Sequence, residues 1–309
     1  MKAMRDAYGE ALVELGKVNK NVVVLDADVS SSTKSGMFGK AYPDRFFNIG
    51  IAEGNMTAIS AGMAASGKIP FINTFAFLLT LRAADPIRSL IAYGNLNVKI
   101  CGGYGGFSDS YDGASHQAIE DVSIMRTLPN MTVIVVSDEH EAKKAVFEVA
   151  KYEGPVYLRL SRAEVPPIYN ENMKFEIGKG ITIKTGKDVT IIANGYMVTK
   201  ALEAAELLKA EGIEAEVIDI HTVKPIDQEL ILNSAKKTGA IVTVEEHSIY
   251  GGLGSAVSEV LSGKMPLPLE IVGVNDVFGE SGDYEQILTK YGLDKDAVAA
   301  AAKRAIGRK

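Results

Sequence analysis

The sequence predicts an α/β protein of two domains, each a mainly parallel sheet flanked by helices. Three observations carry that prediction. Apolar strand-sized runs alternate with helical patterns along most of the chain. The alternation breaks once, near two adjacent prolines at 166–167. The length of 309 residues fits roughly two domains.

The first unit opens with MRDAYGEALVELGKV, where Met4, Ala7, Ala11, Leu12 and Leu15 share one helical side. NVVVLDADV follows, a continuous β-branched run that suits a strand buried on both faces. The order continues with strand RFFNIG, helix AEGNMTAISAGMAAS, strand IPFINTF, helix TLRAADPIRSLIAY and strand NVKICGG. After the loop GGYGGFSDSYDGAS come helix HQAIEDVSIMRTL, strand MTVIVVS, helix EHEAKKAVFEVAKY and strand PVYLRLSR. The stretch AEVPPIYNENMKFEIGKGITIKTGKD, with short hairpin-like strands, is expected to connect the domains. The second unit contains strand VTIIANG, helix MVTKALEAAELLKAEG, strand EAEVIDIHTV and helix DQELILNSAKKTG. Strand AIVTVEEHS, helix GLGSAVSEVLSG, strand PLEIVGVN and a C-terminal helix complete it. The expected boundaries are 1–163 for the first domain, 164–185 for the linker and 186–309 for the second domain.

Composition narrows the function classes. The net charge is −6 with no long basic run, which argues against nucleic acid as the main partner. No apolar run approaches the roughly 20 residues of a membrane span. No N-terminal basic-then-apolar pattern suggests export, so the cytoplasm is the expected compartment. Cys101 is the single cysteine, which excludes an intrachain disulfide and a thiolate zinc cluster. There is no G-x-x-x-x-G-K-[ST], and the close glycines of YGGLGSAVSEV lack a third glycine and an acidic partner strand.

In an open parallel sheet, ligands bind beyond the carboxyl ends of the strands. Those ends carry Asp26, Glu53, Phe75, Phe77, Asp112, His116 and Arg162. Glu53 follows a turn at Gly50 and opens a helix. Such an acid is either a partner of the helix dipole or a catalytic group, and spacing leaves both open. Phe75 and Phe77 sit at strand spacing and are expected on one face, as core or as a stacking surface for a flat ring. Ser115 is expected to cap the following helix. Asp112 and His116 flank that cap, placed to meet substrate hydroxyls. Arg5, Ser30 and Arg162 each lie near a helix start or strand end, and together suit an anion pocket.

Read in order, DADVSSST, FFNIGIAEGNMTAISAGMAASG, PFINTFAF, YDGASHQAIEDVSIMRTLPNMTVI, GPVYLRLSR and VTVEEHSIYGGLGSAV resemble the C-terminal half of a transketolase. The resemblance covers essentially the whole chain. It implies a thiamine-diphosphate-type pyrimidine-binding domain followed by a transketolase C-terminal domain. In that family a G-D-G motif and a later asparagine hold Mg²⁺ and the diphosphate. No G-D-G occurs here. The resemblance therefore implies one subunit of a split transketolase, in a heterotetramer with an N-terminal subunit carrying the diphosphate domain. The implied reaction moves a two-carbon ketol unit from a ketose, expected as its phosphate, to an aldose, as in pentose phosphate metabolism.

The resemblance also implies roles. Glu53 matches the glutamate that hydrogen-bonds the cofactor's pyrimidine ring, and with His116 forms the implied catalytic set. Phe75 and Phe77 match the pyrimidine pocket, and Asp26 an acid near the cofactor interface. Asp112 and His116 match residues reading the donor's hydroxyls. Arg5, Ser30 and Arg162 match sugar-phosphate contacts. Two departures stand out. SYDGASH has Tyr111 where the family often has glutamate, and Tyr104 falls where a phosphate-contacting histidine is usual. The alternatives are a beta-type subunit of a 2-oxo-acid dehydrogenase, a deoxyxylulose-phosphate synthase-like chain, or a non-catalytic partner subunit.

Overall fold

The computed structural model describes residues 2–309. Fourteen strands are found among them: β1 (Lys2–Ala3), β2 (Val22–Asp26), β3 (Phe46–Asn48), β4 (Ile69–Phe75), β5 (Lys99–Gly103), β6 (Thr132–Val135) and β7 (Val156–Arg159). The series continues with β8 (Glu164–Val165), β9 (Ile181–Lys184), β10 (Val189–Ala193), β11 (Ala215–Asp219), β12 (Thr222–Lys224), β13 (Ile241–Ser248) and β14 (Leu269–Val274).

Seven strands form one sheet in the order β12-β6-β7-β5-β4-β2-β3. All its pairings are parallel except β12 on β6. Every residue of β2, β5, β6 and β7 is buried, as expected for strands covered on both faces. The helix Met4–Val18 lays Met4, Ala7, Tyr8, Ala11, Leu12 and Leu15 into the core. Each fully buried leucine there contributes about 1.5–3 kcal/mol of transfer free energy. The neighbouring helix Glu139–Lys151 starts at Asp138, whose carboxylate accepts the Glu141 N–H at 2.8 Å.

The second sheet has the order β14-β13-β10-β11-β9, with only β9 antiparallel. The expected single strand over 214–223 is two strands. It breaks at Ile220 and His221, and β12 leaves its own unit to pair with β6 of the first sheet. The connecting stretch holds no hairpin. β8 pairs back to β1, and β9 edges the second sheet.

The helix expected over TLRAADPIRSLIAY is interrupted. A helix Ala76–Arg82 comes first, a short turn Ala84–Pro86 follows, and a π-helical turn spans Ile87–Ala92. Pro86 lacks the amide that a continuous helix would need. No helix among the described residues is long and apolar enough to cross a membrane.

Candidate functional site

Beyond the carboxyl ends of β4, β5 and β7, Arg5, Phe75, Phe77, Tyr104, His116 and Arg162 form one connected cluster. Phe75 ends β4, whereas Phe77 lies in the first turn of the helix Ala76–Arg82. The strand-spacing expectation for this pair is therefore corrected: the chain turns at Ala76. The two rings nevertheless meet one partner. Phe75 and Phe77 lie 5.9 and 5.4 Å from the His116 ring, both edge-on.

His116 does not open a helix. The helix begins at Asp121, and Gly113–Ser115 is a 3-10 turn. Ser115 is consequently not a helix cap; its hydroxyl lies 3.0 Å from Nδ1 of His116. The helical pattern fails because Ala118 bridges to Gly105 and Gly106, which holds the backbone extended. Asp112 is exposed at the front of the same turn.

The two arginines share a partner that sequence reasoning had noted only as a departure. Tyr104 is 5% exposed and has a left-handed φ of 62°. Its hydroxyl accepts from Nη1 of Arg5. The guanidinium carbons of Arg5 and Arg162 lie 5.4 and 5.3 Å from its ring centre. Arg5 also donates to the Ser32 carbonyl at 3.2 Å, in the short helical turn that Ser30 opens. Its Nε is buried without a partner. Phe75 packs on Tyr104 at 4.7 Å, joining the arginine pair to the His116 cluster.

Arg162 is additionally held by Asp109 at 2.8 Å, a buried acid that the sequence reading missed. Burial, then the neighbouring Asp112 charge, push the Asp109 carboxyl above its ordinary range, and Arg162 opposes them.

Asp26 stands apart from this cluster. Oδ1 accepts the Val29 N–H at 2.6 Å, and Oδ2 accepts the hydroxyls of Thr33 and Ser35 at 2.8 and 2.7 Å. It is fully buried, and burial raises its pKa against those bonds. Both oxygens brace the loop that carries Ser30 and Ser32.

Glu53 opens the helix Glu53–Ala65 and is 3% exposed. Its Oε1 faces Nη1 of Arg82 at 3.4 Å. Arg82 ends the helix whose first turn carries Phe77, so one short helix links the acid to the aromatic cluster. The apolar lead-in that precedes Glu53 is only partly covered: Phe47 is 37% and Ile51 74% exposed.

Residues 1–167 match the family "Transketolase, pyrimidine binding domain", and residues 178–298 match "Transketolase, C-terminal domain". A solved structure described as "Split gene transketolase, inactive beta4 tetramer" is 52% identical, with a TM-score of 0.92 over 99% of both chains. The "6-deoxy-6-sulfo-D-fructose transketolase subunit" of Clostridium sp. is 42% identical across 99% of this chain and 95% of that protein. Human transketolase is 41% identical over 97% of this chain, which spans 48% of the human protein. The chain belongs to the transketolase family, of which it carries the pyrimidine-binding and C-terminal domains.

Proposed function

We propose that this chain is the C-terminal subunit of a split transketolase, transferring a two-carbon ketol unit from a ketose to an aldose. The observation that carries the reading is the convergence of Arg5 and Arg162 on Tyr104, beside Phe75 and His116. Cations suited to an anion, an aromatic suited to a flat ring and an imidazole suited to hydroxyls thus share one strand-end cluster.

The residues fit the pyrimidine half of thiamine diphosphate. Glu53 is a buried acid with a single long contact, which leaves the carboxylate able to accept from a ring nitrogen. The half-buried Phe75 offers a flat face in the cluster with His116. When bound, thiamine diphosphate supplies the nucleophilic carbon and electron sink for cleaving the ketose carbon–carbon bond. Glu53 holds and exchanges the proton on the pyrimidine side. His116 and Asp112 orient the donor's hydroxyls, and Arg5 and Arg162, with the Ser30 turn, take its terminal anion. The charge on that anion is phosphate or sulfonate, both of which suit a guanidinium pair; the sulfo-sugar relative motivates the second.

The chain lacks the G-D-G motif, so an N-terminal subunit is assigned the Mg²⁺ and diphosphate ligands. The test is reconstitution. The isolated chain should lack ketol transfer. Adding an N-terminal transketolase section, thiamine diphosphate and Mg²⁺ should restore it. Activity from this polypeptide alone would sink the split-subunit reading.

A further inference from the structure

We infer that the second domain positions the substrate loop, and that Gln117 is the positioning residue through which it sets His116. This rests on the proposed reaction, and assigns the second domain a part in it.

The loop between β5 and the helix Asp121–Thr127 carries Tyr104, Asp109, Asp112 and His116. Four hydrogen bonds grip it from the second domain, and the one furthest along the loop runs from the Ser248 N–H to the Ile119 carbonyl at 2.7 Å. The Phe107 N–H donates to Oε1 of Glu246 at 2.6 Å. The Gly282 N–H donates to the Ser110 carbonyl at 3.0 Å. The Gln117 side-chain amide donates to the Glu280 carbonyl at 3.0 Å. Each bond joins chain segments more than a hundred residues apart, so none follows from local folding.

The Gln117 contact is the one nearest the chemistry. Gln117 directly follows His116 and is 4% exposed. Within the first domain the His116 and Gln117 amides are held only by the Gly113 carbonyl, at 2.9 and 3.2 Å. Gly113 in turn adopts a φ of 74° that suits glycine. The turn closes on that one carbonyl, and its next fixed backbone point is Ala118, bonded to Gly106 at 2.8 and 3.1 Å. The Glu280 carbonyl supplies the outer restraint, and the fit is close: a Cβ at Gly279 would collide with the Gln117 amide and approach Phe107 to 2.7 Å.

The test uses the full chain, alone and reconstituted. Gln117→Met keeps the volume and removes the donor. Amide hydrogen exchange over 113–118 should quicken about tenfold in the chain alone, with the core strands unchanged. In the reconstituted complex, kcat/KM should fall by a similar factor, about tenfold. Gln117→Glu adds a readout that a general packing defect would not move. Its ionised carboxylate repels the Glu280 carbonyl, whereas the protonated acid donates to it. Its kcat/KM relative to the unmodified complex should therefore recover as pH falls from about 8 to about 6. Unchanged exchange at 113–118, or a pH-independent Gln117→Glu ratio, would overturn the inference. Absence of ketol transfer in the unmodified complex would instead overturn the functional reading and the kinetic half with it, while the exchange result still decides whether the second domain holds the loop.

Discussion

Arg82 reaches the carboxylate of Glu53 at 3.4 Å, joining the end of one helix to the first residue of another. The acid is buried, while the arginine side chain is 57% exposed. The pair is long and open to solvent on its cationic side. Arg82→Ala is therefore expected to change unfolding free energy by no more than about 0.5 kcal/mol. Glu53→Gln is expected to slow proton exchange at the cofactor's reactive carbon by about 100-fold or more in the reconstituted complex. Exchange followed by NMR separates the two variants. A normal rate in Glu53→Gln would remove Glu53 from the mechanism.

The Arg5–Tyr104–Arg162 arrangement makes a prediction about substrate charge. Arg5 has a buried Nε without a partner, whereas Arg162 is partly neutralised by Asp109. Arg5 should carry the larger share of anion binding. Arg5→Ala is expected to raise KM for a phosphorylated ketose by about 10- to 100-fold and to spare an uncharged ketose. Tyr104→Phe removes the hydroxyl that accepts from Arg5 and should give a smaller effect of the same kind, about three- to tenfold. Equal losses on charged and uncharged donors would show that the cluster does not bind the anion.

A buried acid pair ties the two sheets together and makes stability depend on pH. Asp219 ends β11, and its Oδ2 accepts the hydroxyls of Ser137 and Tyr169 at 2.8 and 2.9 Å. Glu141, from the first unit, is close and equally buried. Asp138, whose second oxygen accepts the amides of Ile168 and Tyr169, adds a third negative charge. Burial pushes the Asp219 carboxyl up to about 7, and burial with the Asp219 charge drives Glu141 up as well. Between the unfolded carboxyl pKa and the raised folded value, the native state binds more protons than the unfolded chain. Stability is then greatest below the unfolded value and is lost as pH rises through about 7, by an amount on the order of a few kcal/mol. Asp219→Asn removes one titrating group and should flatten that slope. Urea midpoints at about pH 5 and about pH 8 measure it.

How much of this was legible in the sequence depends on what each feature is made of. β2 was readable because VVVLD is buried on both faces and needs an unbroken apolar run. Glu53 was readable because a helix start has a local signature. β12 was not, because the partner that makes it a strand is β6, in the other sheet. The Ser115 cap failed for a related reason: bridges from Ala118 to Gly105 and Gly106 override the helical periodicity of 116–120. Arg5 and Tyr104 lie 99 positions apart, so their contact has no spacing to reveal it. Arg5 stood out near a helix start and Arg162 at a strand end, and only the fold showed the tyrosine between them.

Gly106 gives the sharpest stability prediction. Its φ of 65° is in the left-handed region, where an added Cβ is strained. That Cβ would collide with the Glu246 carboxylate and come within 2.6 Å of its Cγ. Glu246 cannot swing aside. Its two oxygens accept the Phe107 N–H at 2.6 Å and the Tyr284 hydroxyl at 3.0 Å, and burial pushes its carboxyl up to about 7. Both costs therefore fall on Gly106→Ala, about 1–2 kcal/mol for the backbone and about 1–3 kcal/mol for the overpacking. A control at Gly62, where nothing lies within 4 Å of an added Cβ, should cost nothing or stabilise its helix by up to about 1 kcal/mol. Thermal unfolding of the two variants checks the contrast. Equal midpoints for both would mean that the contact between the substrate loop and the second domain is loose enough to absorb a methyl group, and the rigid placement of that loop would have to be abandoned.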